Sequence, residues 1–197
     1  MIDRAVPALL SLCAAFAVWA ADSPLIGREA PDFALRAMAG DNMRLSEARG
    51  QVVLLSFFGS RCNTCRTQLA ELDGVFRTYG PAGLVVYGVS IDDDATAVRS
   101  FATSVGVGFP LLADPGKVVG RDYSIDRLPT LVIVDRAGKV RYVHRDPKSR
   151  SEPVYVRELR RLLLEWADQL AALLDARDVH AGHDAERAAA TLQALQQ

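Results

Sequence analysis

Hydrophobic residues in the first half of the chain follow two different patterns, continuous runs and a helical repeat. Residues 50–58 (GQVVLLSFF) and 83–91 (GLVVYGVSI) are nearly continuous apolar runs rich in β-branched and aromatic residues, which is typical of strands buried on both faces. Between these runs, apolar residues recur every three or four positions from Cys65 to Tyr79. That period predicts a helix, and Gly80-Pro81 predicts its end.

The second half of the chain continues the alternation of strands and helices. Residues 95–105 have helical spacing and are followed by Gly106, and residues 131–135 and 139–144 flank an Arg-Ala-Gly turn that is typical of a β-hairpin. Ser151 is a candidate cap for a last helix. The apolar face of that helix contains Leu159, Leu162, Leu163, Trp166, Leu170 and Leu173. The predicted fold class is therefore α/β, a mixed sheet with helices on both faces.

Both ends of the chain differ from this pattern. Residues 5–21 carry no charge, follow Arg4 and end in small residues, so residues 1–21 are predicted to be a signal peptide, with a retained membrane anchor as the alternative. The mature protein would be periplasmic or otherwise extracytoplasmic and would lack Cys13. We predict one domain at residues 22–170 and a helical extension at residues 171–197.

Composition excludes several classes of protein. The 197-residue chain has a net charge of −1, so no nucleic-acid partner is indicated. Half of its residues are hydrophobic, which is enough to form a core without metal or disulfides. Its three cysteines are too few for a disulfide-scaffolded domain, and no cofactor is predicted.

The candidate chemistry lies in FFGSRCNTCRTQ, residues 57–68, where Cys62 and Cys65 are separated by two residues. At the start of a helix, the Cys62 sulfur would face unpaired backbone N–H groups that stabilise a thiolate. Arg61 and Arg66 add positive charge. Cys65 would lie on the same face of the first turn and could form a disulfide with Cys62. Cys62 would then be the attacking thiol, and the more shielded Cys65 would resolve the mixed disulfide.

Two other interpretations of the pair are weaker. Half of a zinc site would need a second pair of ligands, and His144, His180 and His183 are not suitably spaced for one. A structural staple across so short a loop would restrict little chain entropy. The sequence therefore favours a redox pair.

A second motif, RLPT at residues 127–130, directly precedes the strand at 131–135. Pro129 suits the start of a strand whether its peptide bond is cis or trans. A cis bond would leave the Leu128 backbone beside the disulfide, where it could pair with a bound peptide.

Together these features resemble the periplasmic TlpA/ResA-type thioredoxin-like proteins. The resemblance covers roughly residues 27–164 and includes APDFAL (30–35), Cys62-Asn63-Thr64-Cys65, GLVVYGVSID (83–92), FPLLAD (109–114), LPT (128–130) and VDRAGKV (134–140). It implies a thioredoxin fold with an N-terminal β-hairpin and extra C-terminal helices, and thiol-disulfide exchange with protein disulfides. It further implies a membrane thiol donor of the DsbD/CcdA kind, a possible link to cytochrome c maturation, a cis Pro129, and a peptide groove lined by Thr130. The other residues predicted to support the cysteine pair or to line this groove are Arg61, Asn63, Thr64, Gln68, Leu128 and Pro129.

The sequence departs from the family pattern at four positions. Arg61 replaces an aromatic residue, Thr64 replaces proline, Gln68 replaces a glutamate that handles protons, and Ser56 replaces the buried aspartate of thioredoxins. Thr64 restores a backbone N–H near Cys62, and Arg61 adds a cation, so both favour the thiolate. We therefore expect a weaker reductant than its relatives, with slower proton transfer at Cys65.

Other functions are possible on the same fold. A peroxiredoxin needs a threonine where Gly59 stands, so no peroxide pocket is predicted, and a Sco-type copper chaperone needs a different cysteine spacing and a histidine absent from residues 123–128. A disulfide oxidant or isomerase and a non-catalytic binding module both stay open. In the extension, Asp178, His180, His183 and Asp184 are interpreted as a solvated turn rather than a metal site.

Overall fold

The structure, a computed structural model, describes residues 23–145 and 153–176, with side-chain burial up to Trp166. The predicted signal peptide, the Ser151 cap and the acidic and histidine residues of the extension lie outside the described residues. Within the described residues, no helix is both long and apolar enough to cross a bilayer.

Seven strands form one mixed sheet in the order β2-β1-β5-β4-β3-β6-β7. Strands β3, β4 and β5 are parallel, whereas the pairs β3–β6, β6–β7, β1–β2 and β1–β5 are antiparallel. The elements are β1 (Ala34–Ala37), β2 (Asn42–Arg44), a 3-10 helix (Leu45–Ala48), β3 (Val52–Phe58), α1 (Asn63–Tyr79), β4 (Leu84–Ser90), α2 (Ala95–Val105), β5 (Leu111–Ala113), α3 (Val118–Asp122), β6 (Thr130–Val134), β7 (Val140–Arg145) and α4 (Val154–Ala176).

Strand β3 separates two hydrophobic cores, and all seven of its residues are buried. Alternate side chains of a strand point to opposite faces, so Leu54 and Phe58 join the core under α1 and α4, while Leu55 and Phe57 join the core under α3. The prediction of a strand buried on both faces is confirmed, as is the α/β class with helices on both faces.

The N-terminal hairpin implied by the family resemblance is present as β1 and β2. Hydrophobic periodicity did not predict β5 or α3, which have only three and five residues. Helix α3 depends on a buried carboxylate, because Asp114 accepts N–H groups from Val118 and Gly120 at 3.0 and 2.9 Å. Helix α4 continues to Ala176, so the predicted domain boundary at residue 170 falls inside a helix.

Gly88, in the core beneath α1, and Gly74, on the exposed face of α1, provide a matched test of packing. A Cβ at Gly88 in β4 would lie 2.4 Å from Leu111 Cδ2, whereas a Cβ at Gly74 in α1 would meet nothing within 4 Å. Gly88→Ala should lower the free energy of unfolding by about 1–3 kcal/mol through overpacking. Gly74→Ala should raise it by about 0.5–1 kcal/mol, because alanine loses less backbone entropy in a helix. Urea unfolding of both variants checks this, and equal effects would contradict it.

Candidate redox site

The site forms where β3 ends and α1 begins. The chain reverses in the turn from Gly59 to Cys62, where the Cys62 N–H donates to the Gly59 carbonyl at 3.1 Å. Cys62 is the N-cap of α1, with extended backbone dihedrals, and its sulfur accepts the Cys65 N–H at 3.1 Å. The predicted position of Cys62 at a strand-to-helix turn, facing helix N–H groups, is therefore confirmed.

Cys62 and Cys65 form a disulfide, with their Cα atoms 5.2 Å apart. Cys65 is fully buried, at 0% exposure, whereas Cys62 is partly exposed. A partner sulfur can therefore approach Cys62 but not Cys65. This asymmetry matches the predicted roles of attacking and resolving thiol.

The side chain of Thr64 also contacts the reactive sulfur. Its Oγ1 atom lies 3.3 Å from Cys62 Sγ, within the range of a hydrogen bond to sulfur. Sequence reasoning considered only the backbone N–H of Thr64, and this side-chain contact depends on a rotamer that the sequence does not specify. A hydroxyl here can donate to a Cys62 thiolate and lower its pKa.

The two arginines of the motif have different positions. Arg61 and Asn63 are exposed beside Cys62. Arg66 instead bonds Ser104 Oγ of α2 at 2.7 Å, and its guanidinium stacks over Phe101 at 4.7 Å. The charged group of Arg66 therefore packs α1 against α2, a contact that the sequence analysis did not predict.

A carboxylate that sequence reasoning missed holds the turn before Cys62. The Ser60 N–H donates to Asp92 Oδ2 at 2.5 Å. A Cβ at Gly59 would lie 3.1 Å from Leu128 Cδ1 and 3.5 Å from Asp92 Oδ1. Asp92 directly follows β4, which runs parallel to β3. Because the ends of neighbouring parallel strands meet at one edge of a sheet, this position in the sequence could have suggested that Asp92 lies near the turn after β3. The threonine that a peroxiredoxin needs at position 59 would therefore lie against the apolar side chain of Leu128 and the carboxylate of Asp92.

The loop before β6 lies against the turn that leads to Cys62, with Leu128 close to Gly59. Thr130 pairs with Phe57, one residue before the end of β3, and the Leu128–Pro129 peptide bond is cis, as the resemblance implies. Thr130 is only 1% exposed, and its hydroxyl donates to the Arg127 carbonyl at 2.8 Å. Thr130 therefore closes the loop, and the expectation that it lines an open groove is corrected.

Two polar side chains, Ser56 and Gln68, lie in the core on the α1 side of the sheet. Ser56 is 0% exposed and Gln68 is 4% exposed, and neither side chain titrates. Gln68 is therefore a core residue rather than part of a surface groove. Tyr155 of α4 interacts with Gln68, and burial raises the pKa of this tyrosine to about 12.

His144 of β7 is a satisfied strand residue, as predicted, since its Nε2 lies 2.5 Å from Glu158 Oε2. The part of the chain with described side chains contains no group of three or more histidine, cysteine or acidic residues able to hold a metal ion.

Comparison with known proteins agrees with this geometry. Residues 26–143 match the AhpC/TSA family. The chain belongs to this family. The match begins before β1 and ends within β7, so it includes the hairpin, the cysteine pair and the proline loop.

Individual relatives of this AhpC/TSA protein are named as a thiol-disulfide oxidoreductase and as a thioredoxin-like protein. The chain is 30% identical over 115 residues to the thiol-disulfide oxidoreductase ResA of Bacillus thuringiensis (strain Al Hakam), an alignment that spans 58% of this chain and 66% of the relative, just under two thirds. It is 32% identical over 120 residues to the thioredoxin-like protein YneN of Bacillus subtilis, covering 60% and 70% of the two chains.

A solved structure supports the thioredoxin-like fold. A Chlorobium tepidum protein proposed to be the thiol:disulfide interchange protein DsbE superimposes with a TM-score of 0.61 and 29% identity, covering 70% of this chain and 94% of that one. The TlpA/ResA resemblance and the fold predicted from it are therefore confirmed.

The Thr64 hydroxyl should tune the reactive thiol. Thr64→Val keeps the shape but removes the hydroxyl, so the pKa of the Cys62 thiol should rise by about one unit, given that a hydrogen bond to a charged group contributes about 1.5–3 kcal/mol. The potential should become about 30 mV more negative. Thr64→Ser should retain most of the native pKa. A thiol titration of the two reduced variants measures the pKa of Cys62 in each, and the thiol–disulfide equilibrium in dithiol buffers measures the potential. Identical pKa values for the valine and serine variants would contradict this role.

Proposed function

We propose that the protein is an extracytoplasmic thiol-disulfide oxidoreductase that reduces disulfides in partner proteins. The observation that carries the proposal is the asymmetric pair at the start of α1. Cys62 is accessible and accepts a helix N–H, while Cys65 is buried one turn away. The names of the ResA relative and the DsbE neighbour support the same chemistry.

The reaction has two exchange steps. The Cys62 thiolate attacks a partner disulfide, forming a mixed disulfide and releasing one partner thiolate. Cys65 then attacks Cys62 Sγ, which forms the intramolecular disulfide and releases the second partner thiolate. The structure contains the oxidised product. Because two electrons leave the dithiol in each cycle, an outside donor must restore it, and we propose a membrane thiol donor of the DsbD/CcdA kind.

The partners and the compartment are part of the proposal. Protein disulfides are the proposed substrates, and cytochrome c maturation is one process that could supply them. Disulfides persist outside the cytoplasm, which is consistent with the signal peptide proposed at residues 1–21. N-terminal sequencing of the protein exported by a bacterial host would test cleavage near residue 21.

The potential of the Cys62–Cys65 couple tests the direction of electron flow. Thiol trapping of the mature protein in graded dithiol buffers should give a value on the reducing side, near that of thioredoxin, about −270 mV, but less negative because Arg61 and Thr64 favour the thiolate. A value near about −120 mV would instead make the protein an oxidant or isomerase. If Cys62 and Cys65 could not be reversibly oxidised and reduced, the enzyme function would be excluded and the function as a non-catalytic binding module would remain.

Trapping experiments test the division of roles between the thiols. Cys65→Ser should accumulate a mixed disulfide with a disulfide-containing peptide, because the resolving thiol is absent. Cys62→Ser should form none, because Cys65 is fully buried. Non-reducing mass spectrometry distinguishes the two variants. Equal adduct formation by both would refute the assignment.

A further inference from the structure

A groove opens at the same edge of the sheet as the cysteine pair. It is a cavity of about 670 Å³ between β1 and the first turns of α2, and its lining includes Asp92, which follows β4, and Ala113, the last residue of β5. Strands β3, β4 and β5 are parallel and end at this edge, and Cys62 follows β3. Ligands of open α/β sheets bind outside the carboxyl ends of the strands, so the groove lies on the side where a substrate would bind.

A direct hydrogen bond joins the wall of the groove to the redox turn. Asp92 lines the groove, and its Oδ2 atom accepts the Ser60 N–H at 2.5 Å. Ser60 lies two residues before Cys62, whose own N–H donates to the Gly59 carbonyl at 3.1 Å. Only this tight turn separates the groove from Cys62. A polypeptide whose disulfide is attacked by Cys62 can therefore extend into the groove.

The strand register places an arginine on the open side of the groove. Arg36 of β1 pairs with Ala113 of β5, and paired residues point to the same face of a sheet. Ala113 shares its face with Leu111, which belongs to the core under α1 and α4. Arg36 therefore points to the side of the sheet on which α2 lies, and Arg99 of α2 lines the groove with it.

The unpaired charges of the groove are positive. Arg36 and Arg99 are exposed, and in the part of the chain that the structure describes neither guanidinium has a hydrogen-bond or ion-pair partner. The two acids of the lining are each bound within the protein. Asp92 accepts a backbone N–H of the redox turn, and Asp93 pairs with Lys117 at 3.0 Å. A ligand that enters this groove therefore meets two guanidinium groups that are free to bind it.

The groove continues along α2 away from the redox turn. A second cavity of about 440 Å³ shares Met38 and Arg99 with the first. Its other lining residues include the apolar side chains of Ala102, Val107 and Phe109. Arg99 thus lies between two adjoining cavities, and together these have the length and shape for an extended segment of polypeptide rather than for a single side chain.

We propose that this groove binds an acidic, extended segment of the partner protein beside its target disulfide, with Arg36 and Arg99 recognising carboxylates. The planar guanidinium group forms paired hydrogen bonds with a carboxylate. This inference rests on the proposed exchange function and specifies its substrate class, which is protein disulfides flanked by acidic residues. The groove contributes binding and a faster approach, while the exchange steps at Cys62 and Cys65 are unchanged.

Reduction of two matched disulfide peptides tests the proposal. The peptides are identical except that one carries a run of glutamates beside a cysteine and the other carries glutamines. At low salt, the reduced protein should act on the acidic peptide with a kcat/KM about tenfold higher, mainly through a lower KM, because two exposed ion pairs act together. The preference should disappear at about 1 M salt, where the Debye length falls to about 3 Å.

A pair of double variants separates the groove from the overall charge of the protein. Arg36→Gln with Arg99→Gln should reduce both peptides at the rate of the glutamine peptide. Arg28→Gln with Arg157→Gln removes the same charge from two exposed arginines that do not line the groove, and should keep the native preference. The potential of the couple should be unchanged in both. The single variant Arg99→Glu should instead favour a lysine peptide, which keeps the test decisive if the groove double variant does not fold.

A small neutral disulfide, hydroxyethyl disulfide, is the reference substrate. Failure of the native protein to reduce it would refute the exchange function itself. Normal reduction of this substrate without a preference for the acidic peptide would overturn the groove proposal alone, as would an equal loss of preference in both double variants. Sedimentation of the same proteins tests the other occupant: a native dimer that dissociates in the groove variant, with no peptide preference, would assign the groove to a second copy of this chain.

Discussion

The redox chemistry depends on one constraint, which is that β3 must end and α1 must begin within the four residues from Gly59 to Cys62. A helix leaves its first N–H groups without partners inside the helix, and here a sulfur rather than an oxygen accepts one of them. The helix terminus stabilises a negative charge by about 0.3–1 kcal/mol, and a hydrogen bond to a charged group contributes about 1.5–3 kcal/mol. The hydrogen bond from the Cys65 N–H therefore stabilises the Cys62 thiolate more than the helix dipole does.

Three neighbouring elements hold this junction. Asp92, after β4, accepts the Ser60 N–H, Leu128 packs where a side chain at Gly59 would be, and Arg66 links α1 to Phe101 of α2. A loop fixed at several points holds the Cys62 sulfur against the helix N–H, which makes the local electrostatics preorganised. The fold therefore contributes to the redox chemistry mainly by positioning the Cys62 sulfur, and less by placing charged groups beside it.

Sequence patterns predicted the parts of this arrangement that are long or local. Strand β3, helix α1 and the β6–β7 hairpin were predictable because their hydrophobic periods extend over several residues, and the Cys62–Cys65 spacing is local by nature. Strand β5 is too short to show a period. Asp92 and Ser60 are 32 residues apart, and the burial of Thr130 depends on its register with β3. A shared sheet edge can suggest that Asp92 lies near this turn, but the contacts themselves are set by tertiary packing, which the single sequence does not reveal.

The departures from the family pattern separate the control of the two thiols. A charged acid under Cys65 would act electrostatically on both sulfurs, because interactions are strong in a buried, low-dielectric region. Ser56 and Gln68 make that region neutral, so the charge of the Cys62 thiolate is set locally by the Cys65 N–H and the Thr64 hydroxyl. A change at Thr64 should therefore alter the potential of the Cys62–Cys65 couple.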